Sequence, residues 1–305
     1  MSASEIVRVL RVDEITAHEI HDQDLAEVVN SHRESVLAFS GEDSRSAQTD
    51  PWFHAPWISS KTDRTYGGQL VGQAIAAANA TVSHKHLHSL HTYFLQGGDP
   101  KIGVDLLVEL VRDGRSFSNR RVRIFQKGDE ICQVGASYHR AGDAGPTHGH
   151  PMPGVPHPDT TPREVFADFS ESETLEHSGD WDGLVVPQEK VAANFAPGNR
   201  LSMWIRYNGE VPDDSNFHAA ALSYISDSTL LSTTTSLEPK RHVQMASLDH
   251  SMWMFEPFRV DEWLLYDQWS PEAGAGRGFA MGRFYRGDGT LVAMATQEGL
   301  VRDHR

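Results

Sequence analysis

The sequence predicts an α+β fold made of two tandem repeats, each with one helix and an antiparallel sheet. Three observations support this prediction: a faint internal duplication, an alanine-rich stretch in each half, and hairpin patterns after each stretch. Self-similarity at a long offset is typical of chains that repeat one structural unit. The 305 residues suffice for two units of roughly 150 residues each.

The duplication is clearest in the predicted hairpins. RIFQKGDEICQVGAS, which begins at Arg123, aligns with RFYRGDGTLVAMATQ, which begins at Arg283. Each segment has an apolar run, a Gly/Asp turn and a second apolar run, which is the pattern of a β-hairpin. Upstream, HSLHTYFL from His88 resembles SLDHSMWM from Ser247 at nearly the same offset. Each half therefore ends in several antiparallel strands.

An alanine-rich stretch precedes these strands in each half. The stretches are QLVGQAIAAANAT from Gln69 and HAAALSYISDSTLL from His218. Alanine content and the spacing of the apolar residues favour a helix. A long central helix wrapped by an antiparallel β-sheet is the hotdog arrangement, so two copies in one chain predict a double hotdog.

Proline and glycine indicate the boundaries between the repeats. HRAGDAGPTHGHPMPGVPHPDTTPRE breaks both helix and sheet, so we expect a linker over residues 142–180. It separates an N-terminal repeat, residues 1–141, from a C-terminal repeat, residues 181–305. A second irregular stretch, at about 40–63, predicts an inserted loop with buried tryptophans.

Composition excludes several classes of protein. The 27 Lys and Arg residues against 42 Asp and Glu residues give a net charge of −15, which argues against general binding to nucleic acid or to anionic membranes. The single cysteine, Cys132, allows no internal disulfide and suits a small core residue. No apolar run reaches the length of a membrane span, and the N-terminus lacks a secretory core, so we expect a cytoplasmic protein.

Three polar residues of the second half lie inside apolar runs: Asp227 in ALSYISDSTLL, Ser247 in MASLDHSMW and Gln297 in MATQEGLVR. Burial of an unpaired polar group is costly, so we expect the three to converge. A carboxylate, a hydroxyl and an amide can hold and polarise one water molecule for hydrolysis without a covalent intermediate. Asp227 fits a helical pattern, and its structural alternative is a satisfied buried carboxylate. For Gln297 the alternative is a strand-end side chain that caps a carbonyl.

A nucleophilic triad is rejected for the string that follows Ser247. Successive strand residues point to opposite faces of the sheet, and triads are assembled in space rather than along adjacent positions. No G-x-S-x-G motif is present in the chain. We therefore assign Asp249 and His250 to support of the sheet or of the site.

Seven motifs resemble the acyl-CoA thioesterase II family in the family's own order. They are RTYGGQLVGQA, HSLHTYFL, VRDGRSFSNRRV, WIRYNGEVPDD, SYISDSTLL, SLDHSMWM and QEGLVR. The resemblance implies a double hotdog, hydrolysis of acyl-CoA to free acid and CoA, and active-site residues at Asp227, Ser247 and Gln297. The sequence departs from the family pattern at Ser247, where Thr is usual, at Phe255-Glu256 in place of His-Arg, and at Gln96-Gly97 in place of Arg-Pro.

The thioester carbonyl needs donors for the negative oxygen that develops during attack. The segment Gly67, Gly68 and Gln69 opens the first helix, so its backbone N–H groups are our candidates. The helix that carries Asp227 is the competing source of these donors. A simple tight turn before a helix is the structural alternative.

The phosphates of CoA require a basic patch on this acidic chain. Arginine suits phosphate through its planar guanidinium, and one segment of the first half is rich in it. Strand alternation puts Arg121 and Arg123 on one face. A solvated face with acidic partners is the alternative. The candidates for CoA binding are Arg112, Arg115, Arg120 and Arg121.

We expect no cofactor and no metal. His84, His86 and His88 alternate along one strand, but nothing in the sequence supplies the supporting ligands of a metal site. The expected partner is the acyl-CoA substrate, and the resemblance implies a homodimer or homotetramer. An enoyl-CoA hydratase would need a histidine five residues after its aspartate, where this chain has Ser232. The remaining alternative is a non-catalytic or regulatory protein that binds acyl-CoA.

Overall fold

Three α-helices lie in the part of the chain that the structure describes. This computed structural model describes residues 5–16, 19–20, 50–57, 63–168, 180–191, 199–238 and 240–304. The helices are α1 (Glu5–Val9), α2 (Gly67–Ala80) and α3 (Ser215–Ser226). Because α2 has 14 residues and α3 has 12, the two alanine-rich stretches of the sequence form the two longest of them.

Fourteen strands and three short 3₁₀ helices (Arg163–Val165, Gln188–Lys190 and Leu231–Thr235) complete the described elements. Those before the predicted linker are β1 (Asp13–Ile15), β2 (Trp52–Ala55), β3 (His86–Phe94), β4 (Val104–Asp113), β5 (Phe117–Gln126) and β6 (Asp129–His139). Those after residue 142 are β7 (Ala167–Asp168), β8 (Trp181–Val186), β9 (Arg200–Tyr207), β10 (Val243–Ser247), β11 (Asp249–Met254), β12 (Leu264–Gly274), β13 (Arg277–Arg286) and β14 (Leu291–Asp303).

These strands form one continuous antiparallel sheet, in which strands of one half follow those of the other. The order is β1-β2-β4-β5-β6-β3-β11-β14-β13-β12-β9-β8-β7, and β10 pairs with β14. The junction joins the duplicated segments HSLHTYFL and SLDHSMWM, with Leu90 opposite Met252. Outward from the junction, β3, β6, β5 and β4 match β11, β14, β13 and β12. The predicted duplication is therefore visible as two halves related by approximate two-fold symmetry.

Helices α2 and α3 pack side by side in opposite directions. A Cβ on Gly72 would lie 3.1 Å from Cβ of Tyr224, and Asn79 donates a hydrogen bond of 2.8 Å to the carbonyl of Asn216. The small residues of the alanine-rich stretches permit this close approach. The main core lies between the two helices and one face of the sheet.

The predicted inserted loop at about 40–63 is wrong for its central part. Residues 52–55 form β2, which pairs with β4 in the N-terminal half. Trp52 is buried as expected, but Trp57 is half exposed. Residues 40–49 and 58–62 lie outside the described residues. Strand β2 was missed because its four residues are too few to show a clear alternation.

The predicted linker, residues 142–180, packs on the sheet in its described part. The indole of Trp204 on β9 donates a hydrogen bond of 2.9 Å to the carbonyl of Pro156. Further along, β7 pairs with β8, so the segment contributes a short edge strand. Its role as the boundary between two repeats stays a prediction.

Cys132 has no exposed surface, which confirms its prediction as a core residue. Burial raises the pKa of its thiol far above the usual range, so it is not a nucleophile. Across the described ranges, no helix has the length and apolar character needed to cross a membrane.

The junction between the halves gives the first prediction. Leu90 on β3 is fully buried, whereas Leu95, just past the end of this strand, is 51% exposed. Leu90→Ala should lower the free energy of unfolding by about 2–5 kcal/mol, since it removes packed methyl groups and leaves a cavity. Leu95→Ala is the control and should change it by less than about 0.5 kcal/mol. Urea unfolding measures both changes. Equal losses of unfolding free energy in the two variants would contradict a stabilising role for the packing of Leu90 at the junction.

Candidate active site

Asp227 lies directly after the last residue of α3 rather than inside a helix, which corrects the sequence interpretation. It is the C-cap residue, and its backbone N–H donates to the carbonyl of Ile225. The N-terminus of α3 begins at Asp214, 12 helical residues away, or about 18 Å. The helix that precedes Asp227 therefore presents its negative end to the site, and it cannot supply the oxyanion donors.

The three predicted residues meet at the Asp227 carboxylate. Gln297 on β14 donates from Nε2 to Oδ1 of Asp227 at 2.5 Å and to Oγ of Ser247 at 2.7 Å. Ser247, the last residue of β10, lies 3.5 Å from the same Oδ1. Gln297 is fully buried, while Asp227 and Ser247 are partly buried. The structure thus brings together a carboxylate, a hydroxyl and an amide that are far apart in sequence.

The second carboxylate oxygen of Asp227 is held by the other half of the chain. The backbone N–H of Gly68, in the first turn of α2, donates to Oδ2 at 2.8 Å. Tyr66, the N-cap residue of this helix, makes no side-chain hydrogen bond to it, so the carboxylate of Asp227 accepts from an N–H group that has no partner within the helix. A Cβ on Gly68 would lie 2.1 Å from the carbonyl oxygen of Tyr224, so only glycine allows this approach.

The expected oxyanion role of Gly67, Gly68 and Gln69 stays a prediction. The N–H of Gly68 is directed at Asp227, and the N–H of Gln69 donates to the carbonyl of Tyr66 at 3.1 Å. Gly67 remains close to the carboxylate, since a Cβ there would lie 2.8 Å from Oδ2. The segment positions the carboxylate, and in this structure two of its three N–H groups are already engaged.

The aromatic side chains of Tyr66, which is partly buried, and Tyr266, which is fully buried, lie near the carboxylate. Tyr66 donates to the carbonyl of Tyr224, and Tyr266 donates to the carbonyl of Ser226, both at 2.8 Å. Burial, followed by the negative charge of Asp227, raises the pKa of both Tyr66 and Tyr266, which keeps both phenols neutral. Electrostatic interactions of the carboxylate are therefore stronger than they would be in water.

Asp249 and His250 each contact a neighbour of the central residues. Asp249 accepts the backbone N–H of Glu298 at 2.7 Å, next to Gln297. His250 is fully buried, and its Nε2 is joined by a hydrogen bond of 2.8 Å to Oγ of Ser226, next to Asp227. The predicted supporting role of both residues stays a prediction, and these contacts are its geometric basis.

The chain is similar in sequence to known acyl-CoA thioesterases. The family model of the acyl-CoA thioesterase N-terminal domain matches residues 54–139, and that of the C-terminal domain matches residues 153–301. Human acyl-coenzyme A thioesterase 8 is 37% identical over 272 residues, which cover 81% of this chain and 82% of the human protein. The chain belongs to the acyl-CoA thioesterase II family. Acyl-CoA thioesterase 2 of Haemophilus influenzae is 32% identical over 263 residues, covering 78% of this chain and 88% of that protein.

Solved structures agree with this assignment. The acyl-CoA thioesterase II TesB2 from Mycobacterium marinum has a TM-score of 0.76 and 34% identity, with 98% of each chain covered. A protein with a hot dog fold from Alicyclobacillus acidocaldarius has a TM-score of 0.69 at 18% identity, covers 87% of this chain and 96% of its own, and supports the fold alone. The predicted family and hotdog fold are confirmed.

The arginines predicted to bind CoA are not beside Asp227. Arg120 is buried and donates to Oγ1 and the carbonyl of Thr81, at the end of α2 opposite Gly68, about 21 Å away along the helix. Arg112, near the end of β4, and Arg115, in the β4–β5 turn, are both exposed. Arg121 shares the outer strand face with Arg123, as alternation predicted, and forms an ion pair with Glu109. Their CoA-binding role stays a prediction: Arg120 and Arg121 have partners within the protein, and Arg112 and Arg115 are exposed.

Arg64 is a cation near the site that sequence reasoning missed. It is exposed and precedes Gly68 by four positions. Its Cδ lies 3.2 Å from the position that a Cβ on Gly97 would occupy. Gly97 belongs to the Gln96-Gly97 pair that replaces the Arg-Pro common in the family. Arg64 thus brings a positive charge next to Gly97, on the segment that precedes α2.

His250 gives a prediction for pH dependence. Burial lowers the pKa of its imidazole below the ordinary value of 6.5, and the charge of Asp227 opposes this only in part. The folded protein keeps His250 neutral while the unfolded chain takes up a proton, so stability falls as pH drops below 6.5, by up to about 1.4 kcal/mol per pH unit. His250→Gln should flatten this loss.

Urea unfolding between pH 7 and about pH 5.5 measures the slope. The exposed His91 on β3 provides the control, and His91→Gln should keep the wild-type slope. A His250→Gln slope equal to that of the wild type would show that this imidazole is not kept neutral by the fold.

Proposed function

We propose that the chain hydrolyses acyl-CoA thioesters to free acid and CoA with a water molecule activated by Asp227. The observation that carries this proposal is the convergence of Gln297, Ser247 and Gly68 on one carboxylate. Gln297 and Ser247 act on Oδ1, and Gly68 fixes Oδ2. A carboxylate restrained at both oxygens has a defined orientation toward a bound water, which general base catalysis requires.

The reaction proceeds by proton transfer and addition. Asp227 accepts a proton from the water as the water oxygen bonds to the thioester carbonyl carbon. The tetrahedral intermediate then collapses, the carbon–sulfur bond breaks, and the proton on Asp227 passes to the departing CoA sulfur. Ser247 and Gln297 hold the carboxylate throughout. The N-terminus of α2 places its positive end at this site and favours the negative charge that develops.

We propose that α2 and α3 are the central helices of a double hotdog, with a single site where the N-terminus of α2 meets the C-terminal end of α3. Asp227 follows α3, and Gly68 opens α2, so the site needs both halves. At the position matching Gln297, the first half has Ser137, which cannot make the same amide contacts. The first half therefore contributes the N-terminus of α2 to this site and does not form a second active site. We also propose that the protein is a cytoplasmic homodimer or homotetramer.

For CoA we propose Arg64 as a contact for the phosphates. The net charge of −15 would repel a polyanionic ligand, so a cation at the rim of the site favours binding. Arg64 is exposed and lies next to the first turn of α2, where Asp227 is held. The guanidinium can form paired hydrogen bonds to a phosphate.

Asp227→Asn should lower kcat by at least about 100-fold, since the amide cannot take the proton of water. Thiol release from acyl-CoA esters of several chain lengths measures it. Asp249→Asn is the matched control, because an amide oxygen can still accept the N–H of Glu298, and its kcat should fall far less. Full activity in Asp227→Asn would contradict the mechanism. Tight acyl-CoA binding by the wild type without thiol release, measured by titration calorimetry, would instead support the non-catalytic alternative.

Arg64→Gln should raise KM for acyl-CoA about fivefold to tenfold with little change in kcat, because one charged phosphate contact is lost. Steady-state kinetics at low and high salt check this, and the difference from wild type should shrink with salt. Arg8→Gln, an exposed arginine on α1, is the control. If substitution of both Arg112 and Arg115 raises KM more than Arg64→Gln does, the phosphates of CoA bind at these two arginines and not at Arg64.

A further inference from the structure

Each carbonyl group at the C-terminal end of α3 accepts a hydrogen bond. The last four carbonyls of an α-helix have no N–H partner within the helix, and in α3 they belong to residues 223–226. Ser226 donates from Oγ to the carbonyl of Ser223 at 2.9 Å. Ser228 donates to the carbonyl of Ile225 from its N–H at 3.1 Å and from its Oγ at 2.7 Å. Two of the four carbonyls are therefore capped by nearby serines.

Tyrosine phenols from distant parts of the chain cap the other two carbonyls. Tyr66, the N-cap residue of α2 in the first half, donates to the carbonyl of Tyr224 at 2.8 Å. Tyr266, on β12 of the second half, donates to the carbonyl of Ser226 at 2.8 Å. Each half of the chain therefore supplies one phenol to the same helix end. The carbonyl of Ser226 belongs to the peptide bond that leads into Asp227.

The ring of Tyr266 is held by the sheet. It is buried and stacks on the ring of Phe284 at a centroid distance of 3.9 Å. A Cβ on Gly282 would lie 2.4 Å from Cε2 of Tyr266, so the ring occupies the space that a side chain at this position would need. The phenol oxygen is therefore fixed relative to the sheet, and its hydrogen bond fixes the end of α3.

The ring of Tyr66 is held between the two helices. It meets the ring of Tyr224 edge to face at a centroid distance of 5.2 Å. It also lies over Gly68, since a Cβ there would be 2.5 Å from Cζ of Tyr66. Gly68 is the residue whose N–H donates to Oδ2 of Asp227. The start of α2 therefore contacts the end of α3 at two neighbouring points, one on the helix backbone and one on the carboxylate.

The corresponding end of α2 is capped by a cation instead. Its C-cap residue is Thr81, and Arg120 donates to the carbonyl of Thr81 at 3.0 Å and to its Oγ1 at 2.8 Å. A cation suits a helix C-terminus because the last carbonyls carry partial negative charge. At the end of α3, a cation would form an ion pair with Asp227 and weaken it as a base. A neutral phenol caps the carbonyls without neutralising the carboxylate.

We propose that Tyr66 and Tyr266 are positioning residues for the hydrolysis, and that their phenol groups hold the Asp227 carboxylate by capping the two carbonyls before it. Without its phenol, a carbonyl is free to turn toward another donor, which moves the peptide chain that carries Asp227. The freed carbonyl also adds partial negative charge beside the carboxylate. This inference rests on the proposed function, because it assigns both phenols to the base that activates the water.

The first experiment removes one phenol oxygen at a time and keeps the ring. Tyr266→Phe should lower kcat for thiol release about tenfold, because the freed carbonyl adjoins Asp227. Tyr66→Phe should lower kcat about threefold to fivefold, because its carbonyl lies two peptide bonds further away. KM should change less than about twofold in both, since the phenols bind the helix backbone and act on the chemical step. Thermal melting shows whether each variant is folded at the assay temperature.

Tyr138→Phe is the matched control. Tyr138 is fully buried, and its phenol donates to Oδ1 of Asn79 at 2.8 Å, near the end of α2 that lies away from Asp227. This variant also loses one buried hydrogen bond, so its melting temperature should fall by a similar amount. Its kcat should stay within about twofold of the wild-type value. A tenfold loss of kcat in Tyr138→Phe would show that lost stability explains the result and would overturn the proposal.

A double variant separates the positioning of Asp227 from a structural role. In the Asp227→Asn background, Tyr266→Phe should change the residual kcat by less than about twofold, because both substitutions disable the same base. A phenol that supports the fold in general, or that contacts the substrate, would instead cause the same tenfold loss in both backgrounds. Thiol release at raised enzyme concentration measures the residual kcat.

Three further outcomes decide the proposal. Wild-type kcat in both Tyr266→Phe and Tyr66→Phe overturns it and leaves the proposed thioesterase function intact. A rise of KM without a loss of kcat assigns the phenols to substrate binding and overturns it as well. No thiol release from any acyl-CoA by the wild-type protein would end both the proposed function and this inference.

Discussion

The structure depends on one interaction, the hydrogen bond from the first turn of α2 to the Asp227 carboxylate. It joins a helix N-terminus of the first half to the C-terminal end of α3 in the second half. The negative end of α3 disfavours a carboxylate at this position, and the positive end of α2 offsets this. The site therefore lies where the N-terminus of α2 meets the C-terminal end of α3.

Close helix packing is the condition for this interaction. Gly68 and Gly72 carry no side chain where α3 approaches, and the backbone of Tyr224 occupies the space that a Cβ on Gly68 would need. The continuous sheet also holds the two helices together, because they pack on one of its faces and β3 pairs with β11 at the junction of the two halves. The fold thus fixes two helices at a short distance, and Gln297 and Ser247 reach the carboxylate from β14 and β10.

The site contains more polar groups than the hydrolytic step requires. Gln297 uses its amide nitrogen on Asp227 and Ser247, while its oxygen is unpaired next to them. Gln268 accepts a hydrogen bond from Thr229, and its Nε2 has no partner among the described residues. The low polarity that strengthens the electrostatic interactions of Asp227 also raises the free-energy cost of each unpaired amide atom.

The sequence by itself determined the local features: the helices from their alanine content, the hairpins from their Gly/Asp turns, and the polar residues Asp227, Ser247 and Gln297 from their apolar surroundings. These depend on neighbours along the chain, so a linear pattern records them. Only the tertiary structure decided that β3 pairs with β11, that Gly68 holds Asp227, and that Arg120 is buried at the far end of α2. Such contacts join residues more than a hundred positions apart or depend on which end of a helix a side chain meets, and hydrophobic periodicity carries no information about either.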